Sequence, residues 1–254
     1  MKLTVLGSGT GNLHPKRGSS GYWLEIVGGL LLLDCSASAI WRMAEYGLDW
    51  PSLDAIWISH FHLDHVGGLA PFLAGTKHAD AMKERNKPLG IFGPEGLKDL
   101  IDSFNAANNY RLFKQPFPVE IVEVEELKEF EIVPGLTAVA QSTPHTPESL
   151  AVHLREGEKT LVYTADTGFS QVLGAFAAGV DLLLMECSYL RDKPIQDHLE
   201  LAEAIHIIRR AQPKQAVLTH LYPLWDEVDF DAEVKTLDPA AKVIMAFDGL
   251  RLDV

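Results

Sequence analysis

The sequence predicts an α/β fold in which two β-sheets pack face to face and helices cover both outer faces, a four-layer αββα sandwich. Short apolar runs that are typical of strands alternate with helical patterns along the whole chain. The run from Leu30 to Leu33 shows no polar alternation, as expected of a strand that is covered on both faces. The second half repeats the theme of the first without a linker or low-complexity tract, so residues 1–254 are expected to form a single domain.

Local patterns place the elements in order along the chain. In the first half, strands are predicted over Lys2–Leu6, Gly21–Ile26, Leu30–Asp34 and Ala55–Ser59, and helices over Ser36–Tyr46 and Pro94–Ala107. In the second half, strands are predicted over Val119–Val124, Phe130–Val133, Leu136–Gln141, Leu150–Leu154, Thr160–Thr164, Asp181–Glu186, Ala216–Thr219, Val243–Phe247 and Arg251–Val254. The helices expected between them are Gln171–Ala178, His198–Ala211 and a polar helix near Phe230–Leu237.

Charge and cysteine content limit the classes of partner. The chain has 22 basic and 35 acidic residues, a net charge of −13, so a long nucleic acid is a poor default partner. The two cysteines lie in apolar strand-like runs, which favours a reducing compartment over a disulfide framework. Residues 1–7 are too short and too soon broken by glycine for a signal peptide, and no apolar run approaches the roughly 20 residues that span a bilayer. A cytoplasmic protein without membrane contact is expected.

A dense group of metal-binding side chains follows the strand Ala55–Ser59. Four potential ligands occur within six residues, as His60, His62, Asp64 and His65. Imidazole and carboxylate groups together suit zinc, manganese or iron. The extended stretch can aim His60 and His62 at one ion, and the turn after it can aim Asp64 and His65 at another. The alternative is a polar loop with incidental histidines, which the spacing disfavours.

The segment His60-Phe61-His62-Leu63-Asp64-His65 resembles the signature of the metallo-β-lactamase superfamily. The other motifs of that family follow in order at predicted strand ends, as Asp34, His145, Asp166 and His220. The resemblance implies the metallo-β-lactamase fold and two divalent ions, with zinc expected and manganese as the alternative. It implies that one ion is bound by His60, His62 and His145, that the other is bound by Asp64, His65 and His220, that Asp166 bridges both, and that Asp34 supports the ligand loop.

The outlying residues also have ordinary structural interpretations. Asp34 alone is compatible with a strand-ending cap, Asp166 with a plain turn and His145 with a plain loop position. Their order along the chain, each at a strand end, favours the ligand interpretation. Four further histidines match no ligand of the family, namely His14, His78, His153 and His206.

Three segments resemble the phosphodiesterase branch of the superfamily, which includes ribonuclease Z and a cyclic-phosphate phosphodiesterase. They are the glycine-rich opening Gly7–Gly11, the segment Leu184–Ser188 followed by His198, and the tail Ala246–Gly249. Asp197 and Glu200 are spaced as a capping box, which predicts His198 in the first turn of a helix. From there His198 would assist the leaving group, with Asp64 as the second catalytic residue. A surface histidine at a helix start is the alternative.

The chain also departs from both named enzymes. Only 20 residues lie from Thr146 to Ala165, which leaves no room for the long arm with which ribonuclease Z grips tRNA, and no cysteine precedes Cys35 to form the other enzyme's structural zinc site. The prediction is therefore a hydrolase of a small phosphodiester or cyclic phosphate, with a homodimer as one open arrangement. A thioesterase or lactonase of the glyoxalase II type, a true RNA-processing nuclease and a non-catalytic metal-binding protein are the alternatives. The polar residues 77–87 fit either a lid or a solvated connection.

Overall fold

Two seven-stranded β-sheets face each other in the computed structural model, which describes residues 1–254. The strands of the first sheet are β1 (Lys2–Gly7), β2 (Gly21–Ile26), β3 (Gly29–Leu33), β4 (Ala55–Trp57), β5 (Leu89–Gly93) and β6 (Val119–Glu123), with β14 (Arg251–Asp253) pairing on the outer side of β1. The pairs from β14 to β3 are antiparallel, and the pairs from β3 to β6 are parallel. Parallel strands place their carboxyl ends at one edge, where ligand-binding loops can meet.

The second sheet is built in the same way. Its strands are β7 (Phe130–Val133), β8 (Leu136–Ser142), β9 (Leu150–Glu156), β10 (Lys159–Tyr163), β11 (Leu182–Glu186), β12 (Gln215–Thr219) and β13 (Lys242–Met245). The pairs from β7 to β10 are antiparallel, and those from β10 to β13 are parallel. The repeated theme of the sequence is therefore a repeated order of antiparallel and parallel pairs. The last two strands do not pair with each other, because β13 joins this sheet and β14 crosses to the first.

Helices cover the outer face of each sheet. They are α1 (Ala37–Glu45), α2 (Leu63–Val66), α3 (Leu69–Thr76), α4 (Leu97–Ala107), α5 (Gln171–Phe176), α6 (Leu201–Ala211) and α7 (Phe230–Thr236). No helix has both the length and the apolar character needed to cross a lipid bilayer. Three apolar clusters separate the layers: one between the sheets, one beneath α1, α3 and α4, and one beneath α5, α6 and α7. The predicted four-layer αββα sandwich is confirmed.

The apolar run in β3 shows why the layers form. Leu31 and Leu33 point into the cluster between the sheets, and Leu32 points into the cluster beneath the helices. All three are fully buried. Burying a leucine side chain is worth roughly 1.5–3 kcal/mol, so a strand of this composition is stable only where both of its faces are covered.

Helix α6 begins three residues later than predicted. Its capping box is made by Glu200 and Glu203, so the prediction that Asp197 and Glu200 form it is wrong. Backbone hydrogen bonds from Tyr189 N to Leu199 O and from Leu201 N to Tyr189 O keep the preceding residues extended. His198 therefore lies in the loop before the helix and not in its first turn.

The sequence patterns did not reveal β5 and α3. Strand β5 contains Gly90 and Gly93, and helix α3 contains Pro71 and Gly75, which are all residues that usually interrupt such elements. Pro71 is tolerated because it lies in the first helical turn, where its missing N–H would have no partner. Added Cβ atoms at Gly90 and Gly93 would lie 2.5 Å from the Phe92 ring and 2.8 Å from Ile58 O. Glycine is required here by close packing.

Residues 77–87 form a connection and not a lid. The Arg85 guanidinium donates to the carbonyls of Pro51, Lys87 and Pro88. Lys87 Nζ donates to Ser52 O and lies 2.6 Å from Asp54 Oδ1. Asp54 immediately precedes β4, whereas His60 follows the other end of that strand. The segment is therefore anchored at the opposite end of β4 from the predicted ligands.

Gly168 allows three loops to approach one another. A Cβ atom at this position would lie 2.3 Å from Gln196 O and 3.0 Å from Pro144 O. Gly168 N donates to Pro144 O over 2.8 Å. The three loops carry Asp166, His145 and His198, so the contact sets the spacing of predicted site residues.

We expect Gly168→Ala to destabilise the fold by about 1–3 kcal/mol, because the methyl group must displace backbone atoms. Gly75→Ala is the matched control: no atom beyond the backbone of its own helix and its two chain neighbours lies within 4 Å of its added Cβ, and alanine is favoured in a helix. Urea denaturation of both metal-free variants measures the difference. Equal midpoints for the two variants would show that the three loops have room to spare.

Candidate metal centre

The seven predicted ligands lie together, and they follow the carboxyl ends of β4, β8, β10 and β12. The ligand loop, residues 58–66 after β4, carries His60, His62, Asp64 and His65 and includes the short helix α2. The second sheet contributes His145 after β8, Asp166 after β10 and His220 after β12. Each residue follows a strand that is buried in the sandwich, so its backbone position is fixed by the packing of the core.

Asp166 occupies the middle of this group. Its Oδ2 atom lies 3.3 Å from Nε2 of both His65 and His220, 3.7 Å from Nε2 of His145 and 3.8 Å from Nε2 of His60. Burial alone would raise the pKa of the Asp166 carboxyl, but the neighbouring His220 and His65 hold that pKa well below its usual value. A charged carboxylate among four imidazole nitrogens is placed to be shared between two cations.

The remaining ligands divide into two sets on either side of Asp166. In the first set, His62 Nδ1 lies 3.1 Å from His145 Nε2, and His60 and Asp166 lie close by. In the second set, Asp64 Oδ2 lies 3.8 Å from His65 Nε2 and 3.4 Å from His220 Nε2. The structure thus groups the seven residues into the same two sets that the family resemblance implied.

The chemistry of these donors fits divalent metal ions. The Nε2 atoms of His60 and His65 are fully buried and have no hydrogen-bond partner. A buried polar atom without a partner costs about 1–3 kcal/mol, which a metal ion would recover. Burial holds the pKa of His60 well below its usual value. His60 is therefore neutral, which is the form of histidine that binds a metal.

The opposite nitrogens of four ligand rings are each held by a hydrogen bond. This second contact fixes the orientation of a ring and directs its Nε2 atom into the site. The Nδ1 partners are Ser59 Oγ for His60 at 3.0 Å, Asp34 Oδ2 for His65 at 2.7 Å, Asp197 O for His145 at 2.9 Å and Ser188 Oγ for His220 at 2.9 Å.

Asp34 contacts the loop that carries four of the predicted ligands. Its buried carboxylate accepts hydrogen bonds from Ser59 N and Oγ at 2.8 Å, from Tyr163 OH at 2.6 Å and from His65 Nδ1 at 2.7 Å. Ser59 and His65 follow β4 in the first sheet, whereas Tyr163 ends β10 in the second. One carboxylate therefore links the two sheets at the site.

His198 is buried beside the two ligand sets, which excludes the alternative of a surface histidine. Its side chain is about one-tenth exposed, and its ring lies 4.8 Å from the ring of His145 and 5.2 Å from that of His220. Its Nδ1 atom lies 2.8 Å from Glu186 Oε1. Burial disfavours the charged ring, but the hydrogen bond and the charge of Glu186 outweigh it and raise the pKa of His198 to about 9.

Glu186 and Ser188 lie in the segment Leu184–Ser188, but neither residue was assigned a role from the sequence. The buried Glu186 carboxylate contacts His198 and also accepts hydrogen bonds from the backbone N–H groups of Thr167 and Leu199. Ser188 Oγ donates to Glu186 and contacts Nδ1 of His220. The sequence feature that indicates a role for Glu186 is its place at the end of the wholly apolar run Leu182–Met185. A charged residue that is buried at a strand end needs a partner.

Two segments that resemble the phosphodiesterase branch form one unit at the rim. Asp248, in the chain's tail, accepts hydrogen bonds from Ser8 N, Ser8 Oγ and Gly18 N of the opening loop, residues 8–20 between β1 and β2. An added Cβ atom at Gly11 would lie 3.4 Å from the Asp64 carboxyl. The tail thus holds the opening loop against the most exposed carboxylate of the site.

The four histidines without a family match take no part in the centre. His78 and His206 are exposed. His14, in the opening loop, has its Nε2 atom 3.2 Å from Asp226. The His153 ring packs against Phe176 of α5.

Comparison with known proteins identifies the family. Residues 30–221 match the model of the beta-lactamase superfamily domain. The "Probable metallo-hydrolase YhfI" from Bacillus subtilis is 25% identical over 240 residues, which cover 93% of each chain. Its crystal structure superposes with a TM-score of 0.84 over 99% of this chain and 98% of that one, at 24% identity.

Two further relatives carry names of interest for the chemistry. The ribonuclease Z of Saccharolobus solfataricus is 26% identical over 90% of this chain and 91% of its own. The crystal structure of a diphosphatase from the PhnP family has the same fold, with a TM-score of 0.75 and 20% identity over 100% of this chain and 97% of that one. Together with the histidine and aspartate cluster, which is compatible with a metal site, these matches show that the chain belongs to the metallo-β-lactamase superfamily and is a metal-dependent hydrolase.

Proposed function

We propose that the protein is a dinuclear phosphodiesterase that cleaves a small phosphodiester or cyclic phosphate. The observation that carries this proposal is the position of His198. Glu186 holds the His198 ring beside both ligand sets, and His198 belongs to neither of the two predicted sets. A phosphodiester releases a poor alkoxide leaving group, so its hydrolysis profits from a fixed proton donor next to the metal ions.

Under this proposal, zinc ions fill both ligand sets, with manganese as the alternative. His60, His62 and His145 hold one ion, Asp64, His65 and His220 hold the other, and Asp166 bridges them. Two such ions would supply an activated water molecule and positive charge against the phosphoryl oxygens. The side chain of Asp64 is 19% exposed, more than those of His65, His220 and Asp166, so it is placed to accept a hydrogen bond from the attacking water.

His198 supplies the second catalytic function. Its Nδ1 atom is held by Glu186, so the Nε2 atom is the one available to a substrate. A proton on Nε2 would pass to the departing alkoxide, and Glu186 would stabilise the ring while it carries that proton. Glu186 acts only through His198 and is a positioning residue.

A tRNA-processing nuclease is the second candidate, because several curated relatives are named ribonuclease Z. In this chain, His145 and Asp166 are joined by the two strands β9 and β10 and by short loops alone. A net charge of −13 also opposes the approach of a polyanion. These features favour a small substrate that the metal ions hold locally.

Substrate size and chemistry test the proposal. The metal-loaded protein should hydrolyse bis-p-nitrophenyl phosphate or a 2′,3′-cyclic nucleotide faster than a tRNA precursor, a thioester or a lactone. Asp166→Ala should abolish most of this activity, whereas the exposed His78→Ala should match the wild type, because His78 lies outside the centre. Efficient, salt-sensitive 3′ processing of tRNA would contradict the small-substrate proposal, and faster thioester cleavage would favour the glyoxalase II type.

A leaving-group series tests the role of His198. His198→Ala should slow the cleavage of esters with basic alkoxide leaving groups by about 10²–10⁴-fold and should affect activated nitrophenyl esters little. Glu186→Gln should produce the same pattern with a smaller effect, because the ring remains but loses its anionic partner. Rates across the series, compared with His206→Ala as control, measure this dependence. A small and uniform loss for every ester would make His198 a structural residue.

A further inference from the structure

We infer that His198 is an alternative ligand for the second metal ion, which therefore has two positions in the site. In one position the ion is bound by Asp64, His65 and His220, and in the other by Asp166, His198 and His220. This inference rests on the proposed dinuclear centre and adds a second state to it. His220 is shared by both positions, so the ion can move without leaving the protein.

The three residues of the alternative position lie close enough to share an ion. One ligand atom from each of Asp166, His198 and His220 lies within 4.8 Å of the other two. All three side chains are at least nine-tenths buried. A small shift of the two rings would bring a nitrogen of each to about 2.0–2.1 Å from a shared ion, the distance at which histidine binds zinc.

The orientation of the two imidazole rings supports a common target. Nδ1 of His220 lies 2.9 Å from Ser188 Oγ, and Nδ1 of His198 lies 3.3 Å from the same oxygen. The two rings are nearly parallel, with an interplanar angle of 15°. Because both Nδ1 atoms face Ser188 Oγ, the Nε2 atom of each ring lies on the side of that ring away from Ser188, and Nε2 of His220 lies 3.3 Å from Asp166 Oδ2.

The environment of His198 also matches that of a predicted ligand in the same site. Nδ1 of His65 lies 2.7 Å from the buried carboxylate of Asp34, and Nδ1 of His198 lies 2.8 Å from the buried carboxylate of Glu186. A carboxylate at Nδ1 directs the lone pair of Nε2 outward and makes that nitrogen a better metal ligand. His198 thus has the same carboxylate support at Nδ1 as His65.

The two positions differ in what they do to the reaction. An ion at His198 takes the Nε2 nitrogen that would otherwise carry the proton for the leaving group. Asp64 is the most exposed ligand of the first position, with 19% of its side chain accessible against 0% for His65 and 3% for His220, so it is the ligand most readily replaced. Because the ion then occupies Nε2 of His198, the alternative position is an unproductive state of the enzyme.

Metal stoichiometry separates the two positions. We would dialyse the full chain against excess Co²⁺ or Zn²⁺ and measure bound metal by mass spectrometry, with the visible spectrum of Co²⁺ as a second readout. Asp64→Ala should still bind about two ions per chain, because His198 replaces the lost ligand. The double variant Asp64→Ala/His198→Gln should bind about one ion, whereas His198→Gln alone and the control Asp64→Ala/His206→Gln should bind about two.

Two results would overturn the inference: a single ion in Asp64→Ala, or two ions retained in the double variant. Asp64→Asn, alone and combined with His198→Gln, keeps the size of the side chain and gives the same comparison if the alanine variant does not fold. Fewer than two ions in the wild-type protein would instead contradict the proposed dinuclear function, so the two failures are distinguishable.

Discussion

The buried carboxylate of Asp34 is the contact on which the arrangement of the site depends. A buried charge is tolerated only when its hydrogen-bonding capacity is filled, and here Ser59, His65 and Tyr163 fill it. Ser59 and His65 belong to the loop after β4 of one sheet, and Tyr163 belongs to β10 of the other. Satisfying this one charge therefore fixes the loop of four ligands against the strand that leads to Asp166.

Glu186 is a second buried carboxylate whose hydrogen bonds connect parts of the site. Glu186 joins His198 to the turn that follows Asp166, as Asp34 joins His65 to its loop.

Asp34, Ala165 and His220 all have positive φ angles near 55°, a conformation that costs a residue with a side chain about 1–3 kcal/mol. Each of the three follows the end of a strand and directs the chain into the site. The packing of the two sheets compensates for this strain and holds the ligand side chains in position.

The sequence predicted the sandwich and its ligand types because both leave local signals. The apolar run Leu30–Leu33 required cover on two faces, and the spacing from His60 to His65 was dense enough to indicate metal binding. Glu186 and Ser188 were missed because their roles arise from contacts with residues distant in the chain, such as His198 and His220. The position of His198 before α6 depends on the pairing of Tyr189 with Glu200, and this pairing is also non-local. Local spacing alone could not choose between two overlapping capping boxes.

Anomalous diffraction at the zinc and manganese absorption edges tests the proposed dinuclear centre most directly. Crystals of protein purified without chelator should show two peaks, one at about 2.0–2.2 Å from ligand atoms of His60, His62 and His145 and one at the same distance from those of Asp64, His65 and His220. Asp166 should lie between them, with a carboxylate oxygen within reach of both. A folded, metal-supplemented protein with one peak or none among these residues would contradict the dinuclear centre.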